Sequence, residues 1–271
     1  MQADITITDL LCTVAHPDDE SFGLGSLLAG AVAAGARVVL LCATRGEAGE
    51  DATGAGRISE ELGAVRQQEL AAAAAALGVA DVELLGFADS GWNGQPPPGA
   101  LVSAGDTLVA AVHDALARHR PRVVVTLDPG GSDGHRDHAA IGAATTEALL
   151  RYGNGSTSLY HWCLPRSLMD RWVIERGMNA GVYASPNLGR PDGDITTVLD
   201  GAAMLEARRA AIAAHASQAS PFLDLSPELE TAFLTEDHLV RILPPWPGGS
   251  CEHHLVGCPR PPEPAQADTA S

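Results

Sequence analysis

The sequence predicts an α/β fold of the Rossmann-like, doubly wound type: a mainly parallel sheet with helices on both faces, continued by a less regular C-terminal part. Three observations carry that expectation. Short apolar runs bounded by turn residues recur along the chain, longer alanine-rich segments of helical period alternate with them, and the long polar loops begin where apolar runs end. With 271 residues there is room for one large, well-buried domain and little for a second.

In chain order, Leu10–Ala15 reads as the first strand and Phe22–Ala34 as its crossover helix. Arg37–Ala43 is the second strand, followed by a loop over 44–57 rich in glycine and acid and by a helix over Ser59–Leu77. Asp81–Leu85 is the third strand, and the loop after it, 86–99, carries Trp92 and three consecutive prolines. Ser103–Arg118 is helical, Arg122–Leu127 and Ser158–Cys163 are strands, and His138–Tyr152 and Gly201–Ala214 are helices. The Rossmann-like core then spans about residues 8–165 of a single domain covering 1–243. From Pro244 the chain is rich in proline and poor in helix formers, so 244–271 reads as a loosely packed tail. No internal repeat is present.

Composition narrows the function. Apolar residues make up 45% and charged residues 19%, so most of the chain is expected to fold. Against 34 acidic side chains stand 17 basic ones, and the net charge of −17 opposes binding to nucleic acid or to an anionic membrane. A neutral or cationic small molecule fits better. The basic residues are all arginine, which removes Schiff-base catalysis and any phosphate loop that needs lysine. Five cysteines is an odd number, and Cys12 and Cys42 sit inside predicted strands, which suits a reducing compartment rather than a disulfide scaffold. No basic leader and no membrane-length apolar run is visible, so a cytoplasmic protein is expected, with homo-oligomerisation left open.

Two short segments carry the chemistry. Ala15-His16-Pro17-Asp18-Asp19-Glu20 follows the first strand, and Gly134-His135-Arg136-Asp137-His138 follows the fourth. In the usual strand order those strands are neighbours where the order reverses, the place at which ligands bind in such sheets. His16 and Asp19 lie three apart across a strand-to-helix turn, and His138 supplies a third ligand for one cation. Two imidazoles and one carboxylate leave a position for water, as in a catalytic zinc site, and Asp18 is free to take its proton. A plainer reading has the acids favouring a helix N-terminus and the second segment capping a helix. It explains one carboxylate well but not His16 directly ahead of it. Cys251, His253, His254 and Cys258 have the residue types of a further zinc site but lack a paired knuckle spacing.

These segments, with Thr44-Arg45-Gly46-Glu47, Val65-Arg66-Gln67-Gln68-Glu69 and His215-Ala216-Ser217-Gln218, resemble the LmbE-like, or PIG-L, family of metal-dependent N-deacetylases over about residues 10–220. The run Ala88-Asp89-Ser90-Gly91-Trp92 is similar to the actinobacterial branch that handles mycothiol and its precursor. The resemblance implies that His16, Asp19 and His138 are zinc ligands and Asp18 the general base. It implies that His135 stabilises the oxyanion or protonates the leaving amine, with Asp137 as its orienting partner, and that Arg66 and Asp89 contact sugar hydroxyls. His215 either lines the pocket or packs its own helix. There are departures: Arg136 stands where proline is usual, Asp133 where the mycothiol enzymes have a tyrosine, and Arg208 where lysine is common.

The expected activity is therefore zinc-dependent removal of an acyl group, acetyl first, from the amide nitrogen of an N-acylated amino sugar or sugar conjugate. Iron(II) suits the same ligands. A protonated His135 would stabilise the developing oxyanion, and the acidic loop 47–51, Asp89 and Trp92 would meet the sugar. Alternatives are an amidase of mycothiol S-conjugates, a natural-product (glycopeptide) deacetylase, and a metal- or sugar-binding protein without catalysis. An iron(II) oxygenase shares the ligand types but usually a different, β-sandwich fold.

Overall fold

The computed structural model describes residues 8–152, 155–177 and 188–259; the extreme N-terminus and the last part of the proline-rich tail, 260–271, lie outside them. The chain runs through β1 (Leu10–Val14), α1 (Asp19–Phe22), α2 (Gly25–Ala33), β2 (Val38–Cys42), α3 (Ser59–Leu77), β3 (Asp81–Leu84), α4 (Asp106–His119), β4 (Val123–Leu127), α5 (Arg136–Tyr152) and β5 (Ser158–Cys163). It continues through α6 (Arg166–Glu175), β6 (Thr197–Asp200), α7 (Leu205–Ala214), α8 (Pro227–Thr235) and β7 (Glu236–Leu243). Strands β1, β2, β4 and β5 are buried at every residue, which is why they read as unbroken apolar runs.

One sheet holds all seven strands in the order β3-β2-β1-β4-β5-β7-β6. The pairs from β3 to β5 are parallel, while β7 runs antiparallel between β5 and β6. Helices α4 and α5 pack together, and α2 and α3 pack on α7, giving a helical layer on either face. Strand order reverses between β1 and β4. There Thr13 pairs in register with Thr126 and their hydroxyls bond at 2.7 Å, with Thr145 of α5 a further 2.9 Å from Thr13. Gly142 lets α5 lie hard against β4, since a Cβ there would meet the Leu127 carbonyl oxygen at 2.2 Å. The start of α5 is thereby fixed over the end of β4.

The single helix predicted over Phe22–Ala34 is instead two, α1 and α2. The cause is Arg208, buried in α7, whose guanidinium takes the carbonyls of Ser21, Phe22 and Gly23 at 3.2, 2.6 and 3.0 Å. Carbonyls left open by a helix end need partners, and this arginine supplies them. The C-terminal part is more regular than its sequence suggests. α8 has a serine cap, Ser226, followed by Pro227 at its first position. β7 contains Asp237 and Arg241, polar in composition but paired with Arg208 and Glu252 at 3.4 and 2.7 Å. Beyond β7, the Glu252 amide bonds Thr196 at 2.8 Å, the Val256 amide bonds the Tyr160 hydroxyl at 2.9 Å, and Leu255 is buried.

Candidate active site

The segments that follow β1 and β4 meet. His16 Nδ1 lies 3.2 Å from His138 Nε2, which is 3.0 Å from Asp19 Oδ1, while Asp19 Oδ2 is 3.8 Å from His16 Nδ1. Backbone amides of Ala15 and His16 donate to Asp19 Oδ2 at 3.0 and 2.9 Å and hold that carboxylate at the strand end. Two imidazoles and a carboxylate from segments more than a hundred residues apart thus lie within 3.8 Å of one another, pair by pair. They are the types and the number that hold a divalent cation in a hydrolytic site.

Each imidazole is backed on its other nitrogen by acid. His16 Nε2 lies 3.2 Å from Asp137 Oδ2 and 3.5 Å from Asp89 Oδ1, and His138 Nδ1 lies 2.5 Å from Asp133 Oδ2. Such carboxylates fix the tautomer of a ligating histidine and raise its basicity. Two sets bring one donor atom from each residue within 4.8 Å of one another, His16 with His135 and His138, and His16 with Asp89 and Asp137; Asp19 meets His138 through Oδ1 and His16 through Oδ2. Asp89 and Asp137 stand on the far side of His16, and His135 Nδ1 already accepts the Asp137 amide at 3.2 Å.

Asp137 was expected to orient His135 with its side chain. Its carboxylate instead turns to His16 and to the Ser90 amide, 2.9 Å away, and only its backbone reaches His135. At the first turn of α5 the two side chains leave the helix in different directions, so adjacency along the chain does not make them partners. The expected protonated His135 is not what its surroundings favour. Burial, then the nearby His16 and His138, push it down to about 3. These surroundings favour the neutral ring, and with Nδ1 accepting the Asp137 amide the proton of that form sits on Nε2. Burial opposes charge on His16 too, but hydrogen bonds to Asp137 and Asp89 outweigh it and lift it to about 9. For Asp19, burial is outweighed by His138 and His16, which hold it well below the carboxylate range.

Asp18 sits beside this cluster in a left-handed conformation, φ 117°, rare for a side-chain-bearing residue. Its amide donates to Glu20 Oε2 at 3.0 Å, and Arg66 Nη2 bonds its Oδ2 at 2.9 Å. Burial raises the carboxyl to about 6 against the opposing charge of Arg66. Arg66 also donates to the carbonyls of Pro17 and Gly46; Gly46 has φ +66°, and a Cβ there would strike the guanidinium at 2.3 Å. Three of its contacts are therefore inside the protein and hold Asp18, while the side chain also borders the cavity. Asp89 likewise accepts from Gly91 and Ala48 amides at 2.8 and 3.2 Å. Of the two alternatives for His215, the structure supports packing: it is buried, absent from the cavity wall, and bonded to Glu20 Oε1 at 2.6 Å.

Trp92 is half exposed at the cavity wall, 4.8 Å from His135 between ring centres. Its loop is tied down by Arg136, whose guanidinium takes the carbonyls of Ser90, Gly91, Asn93 and Gly94. Glu20, Asp133 and Arg136 were not singled out as site-building residues by sequence, because their partners lie far along the chain or depend on side-chain direction. In the sequence Asp133 and Arg136 mark only departures from the family pattern. In the tail, Cys251 donates to the Ile195 carbonyl at 3.4 Å and His253 Nδ1 meets the Val198 carbonyl at 3.0 Å. Among the described residues the tail cysteines and histidines form no metal-holding group.

The cluster opens on a cavity of about 710 Å³, lined by His16, Asp18, Asp19, Asp133, His135 and His138 at its polar end. Among the described residues no helix is long and apolar enough to cross a membrane.

Comparison with known proteins bears on what this cavity does. A deacetylase from Acidothermus cellulolyticus, named for 1D-myo-inositol 2-acetamido-2-deoxy-alpha-D-glucopyranoside, is 36% identical over 268 residues, covering 90% of this chain and 92% of its own. The solved N,N'-diacetylchitobiose deacetylase from Pyrococcus horikoshii superposes with a TM-score of 0.61 at 18% identity, covering 87% of this chain and 84% of that one. The 4-carboxy-2-hydroxymuconate hydratase GalB from Pseudomonas putida KT2440 gives 0.62 at 19% identity, covering 90% and 99%. A hydratase on the same architecture shows that the fold alone does not decide the reaction. The profile described as PIG-L: GlcNAc-PI de-N-acetylase matches residues 11–149, which include both segments of the site, and the chain belongs to the PIG-L family.

Proposed function

We propose that this protein is a metal-dependent N-deacetylase that hydrolyses the acetamido group of an N-acetylglucosaminyl conjugate. The observation that carries the reading is the convergence of His16, Asp19 and His138 beside Asp18 at the polar end of one cavity. The relatives named as deacetylases of an acetamido-glucosyl inositol support the substrate class.

His16, Asp19 and His138 would hold the cation, zinc first and iron(II) as the alternative, with Asp133, Asp137 and Asp89 fixing the imidazoles. A cation there supplies positive charge that acidifies water and polarises the acyl oxygen. The protein supplies the proton transfers. Asp18, ionised above about pH 6, accepts the proton of the attacking water. Neutral His135 donates from Nε2 to the oxygen on which charge develops, a donor of the kind whose loss typically costs about a hundredfold in rate. Asp18, then carrying a proton, returns it to the departing amine. Trp92, held by the Arg136 clamp, offers a flat face against the sugar.

The test is acetate release from 1D-myo-inositol 2-acetamido-2-deoxy-alpha-D-glucopyranoside by protein that has been stripped with a chelator and reloaded with zinc or iron(II). Release that vanishes on stripping and returns on reloading is expected. Metal-independent release, or none under any loading, would defeat the proposal.

A further inference from the structure

The chain is poor in aromatic residues, yet they are not spread evenly. Of its four phenylalanines and four tryptophans, Phe22, Trp92, Trp162, Trp172, Phe222 and Phe233 all border the one cavity that contains the His/Asp cluster. Apart from Trp92 they form a continuous wall. It starts beside the chemistry, because Phe22 belongs to the same short helix α1 as Asp19. Phe222 stands 6.0 Å from Phe22 and 5.6 Å from Phe233, ring centre to ring centre. Trp162 closes on Gly23, where an added Cβ would meet its ring at 3.1 Å.

The five aromatic side chains of this wall offer carbon and almost no hydrogen bonding, although Arg176, Gln218, Ser220, Glu236 and His238 line the same cavity. The Trp172 indole N–H donates to the Pro221 carbonyl at 3.0 Å, and the Trp162 side chain is hydrogen-bonded to buried Asp237. A polyol pressed against it would leave hydroxyls unsatisfied, which costs free energy, whereas an alkyl or aryl group gains from every methylene buried. A cavity of about 710 Å³ is also of the size that encloses a drug-sized ligand, larger than an acetamido sugar alone needs.

Resting on the deacetylase reading above, we infer that the substrate carries an apolar group, alkyl or aryl, that lies along the wall formed by Phe22, Trp162, Trp172, Phe222 and Phe233 while its amide faces the His/Asp cluster. Two positions on the substrate can bear such a group: the aglycone of the sugar or the acyl chain on nitrogen. The chemistry recognised is the same.

Two series measured on the intact, metal-loaded protein separate them. One varies the aglycone of 2-acetamido-2-deoxy-glucopyranosides from methyl through butyl and octyl to phenyl; the other keeps glucosamine and lengthens the N-acyl chain from acetyl to hexanoyl. Affinity by calorimetry and kcat/KM by amine release are read for both. In one series each is expected to rise roughly fourfold per methylene over the first few carbons. Trp172→Ala should flatten that slope and Trp172→Phe should keep most of it. Flat affinity in both series with wild-type protein overturns the inference, whatever the variants do. Steep affinity without amine release would support the apolar wall and sink the deacetylase reading instead, so the two failures are distinguishable.

Discussion

The two ends of the cavity are built differently. The polar end is made by two segments of five or six residues at the carboxyl ends of β1 and β4, held by backbone amides and by acids on the outer nitrogens of His16 and His138. The apolar end is assembled from α1, the end of β5, α6, the segment around Phe222, and α8, which are scattered over two hundred residues. Chemistry demands particular residue types at fixed spacing, so the first end is compact in sequence. Enclosure demands only carbon of about the right volume, so the second can be drawn from anywhere the fold brings together. Substitutions at the polar end should therefore affect every substrate alike, and those at the apolar end should change only preference among substrates.

The largest effect expected is at Asp18. Asp18→Asn should keep the bound metal, measured by elemental analysis, while kcat falls about a hundredfold to ten-thousandfold for all substrates, the usual worth of a positioned base. A fall confined to some substrates would move Asp18 out of the polar end's shared machinery.

Asp133 comes next. Its contact with His138 Nδ1, 2.5 Å long, backs that imidazole from outside. Asp133→Asn should weaken metal affinity by about ten- to a hundredfold in a chelator competition, with kcat recovering at saturating metal. Unchanged affinity would mean that the acid is a helix cap for the His135 amide, which it also accepts.

The pH profile gives a smaller effect with a definite sign. Burial raises Asp18 to about 6, and a base works only when ionised, so kcat/KM should fall as pH drops through about 6. The Arg66 charge opposes the rise. Arg66→Gln should move that acid limb to higher pH, seen in a pH series of initial rates; a limb that stays or moves down contradicts the role given to the pair.

Most of the fold was legible because the parallel strands are buried on both faces and read as plain apolar runs, and because glycine-rich and acidic loops mark their carboxyl ends. The meeting of His16, Asp19 and His138 followed from strand order alone. What was not legible turns on direction or distance. Whether Asp137 serves His135 or His16 depends on how neighbouring side chains leave the first turn of α5. The break between α1 and α2 depends on Arg208, nearly two hundred residues on. β7 hid because two of its charged residues are neutralised by partners that no local pattern reveals. His215 lies beneath the site against Glu20 rather than in its wall, for the same reason.

The smallest effect expected is at Arg136, which joins the polar end to the Trp92 loop. Because it occupies the first position of α5, where proline is well tolerated, Arg136→Pro removes the clamp without removing the helix. KM should rise about two- to tenfold, the net worth of one or two hydrogen bonds, with kcat nearly unchanged. A drop in kcat with constant KM would place the clamp's influence on the reacting groups instead.

Anomalous X-ray scattering from a zinc-loaded crystal tests the shared cation site most directly. One strong peak is predicted about 2.0–2.3 Å from His16 Nδ1, His138 Nε2 and an oxygen of Asp19. A peak held by His135 in place of Asp19, or by Asp89 and Asp137 on the other side of His16, would contradict it.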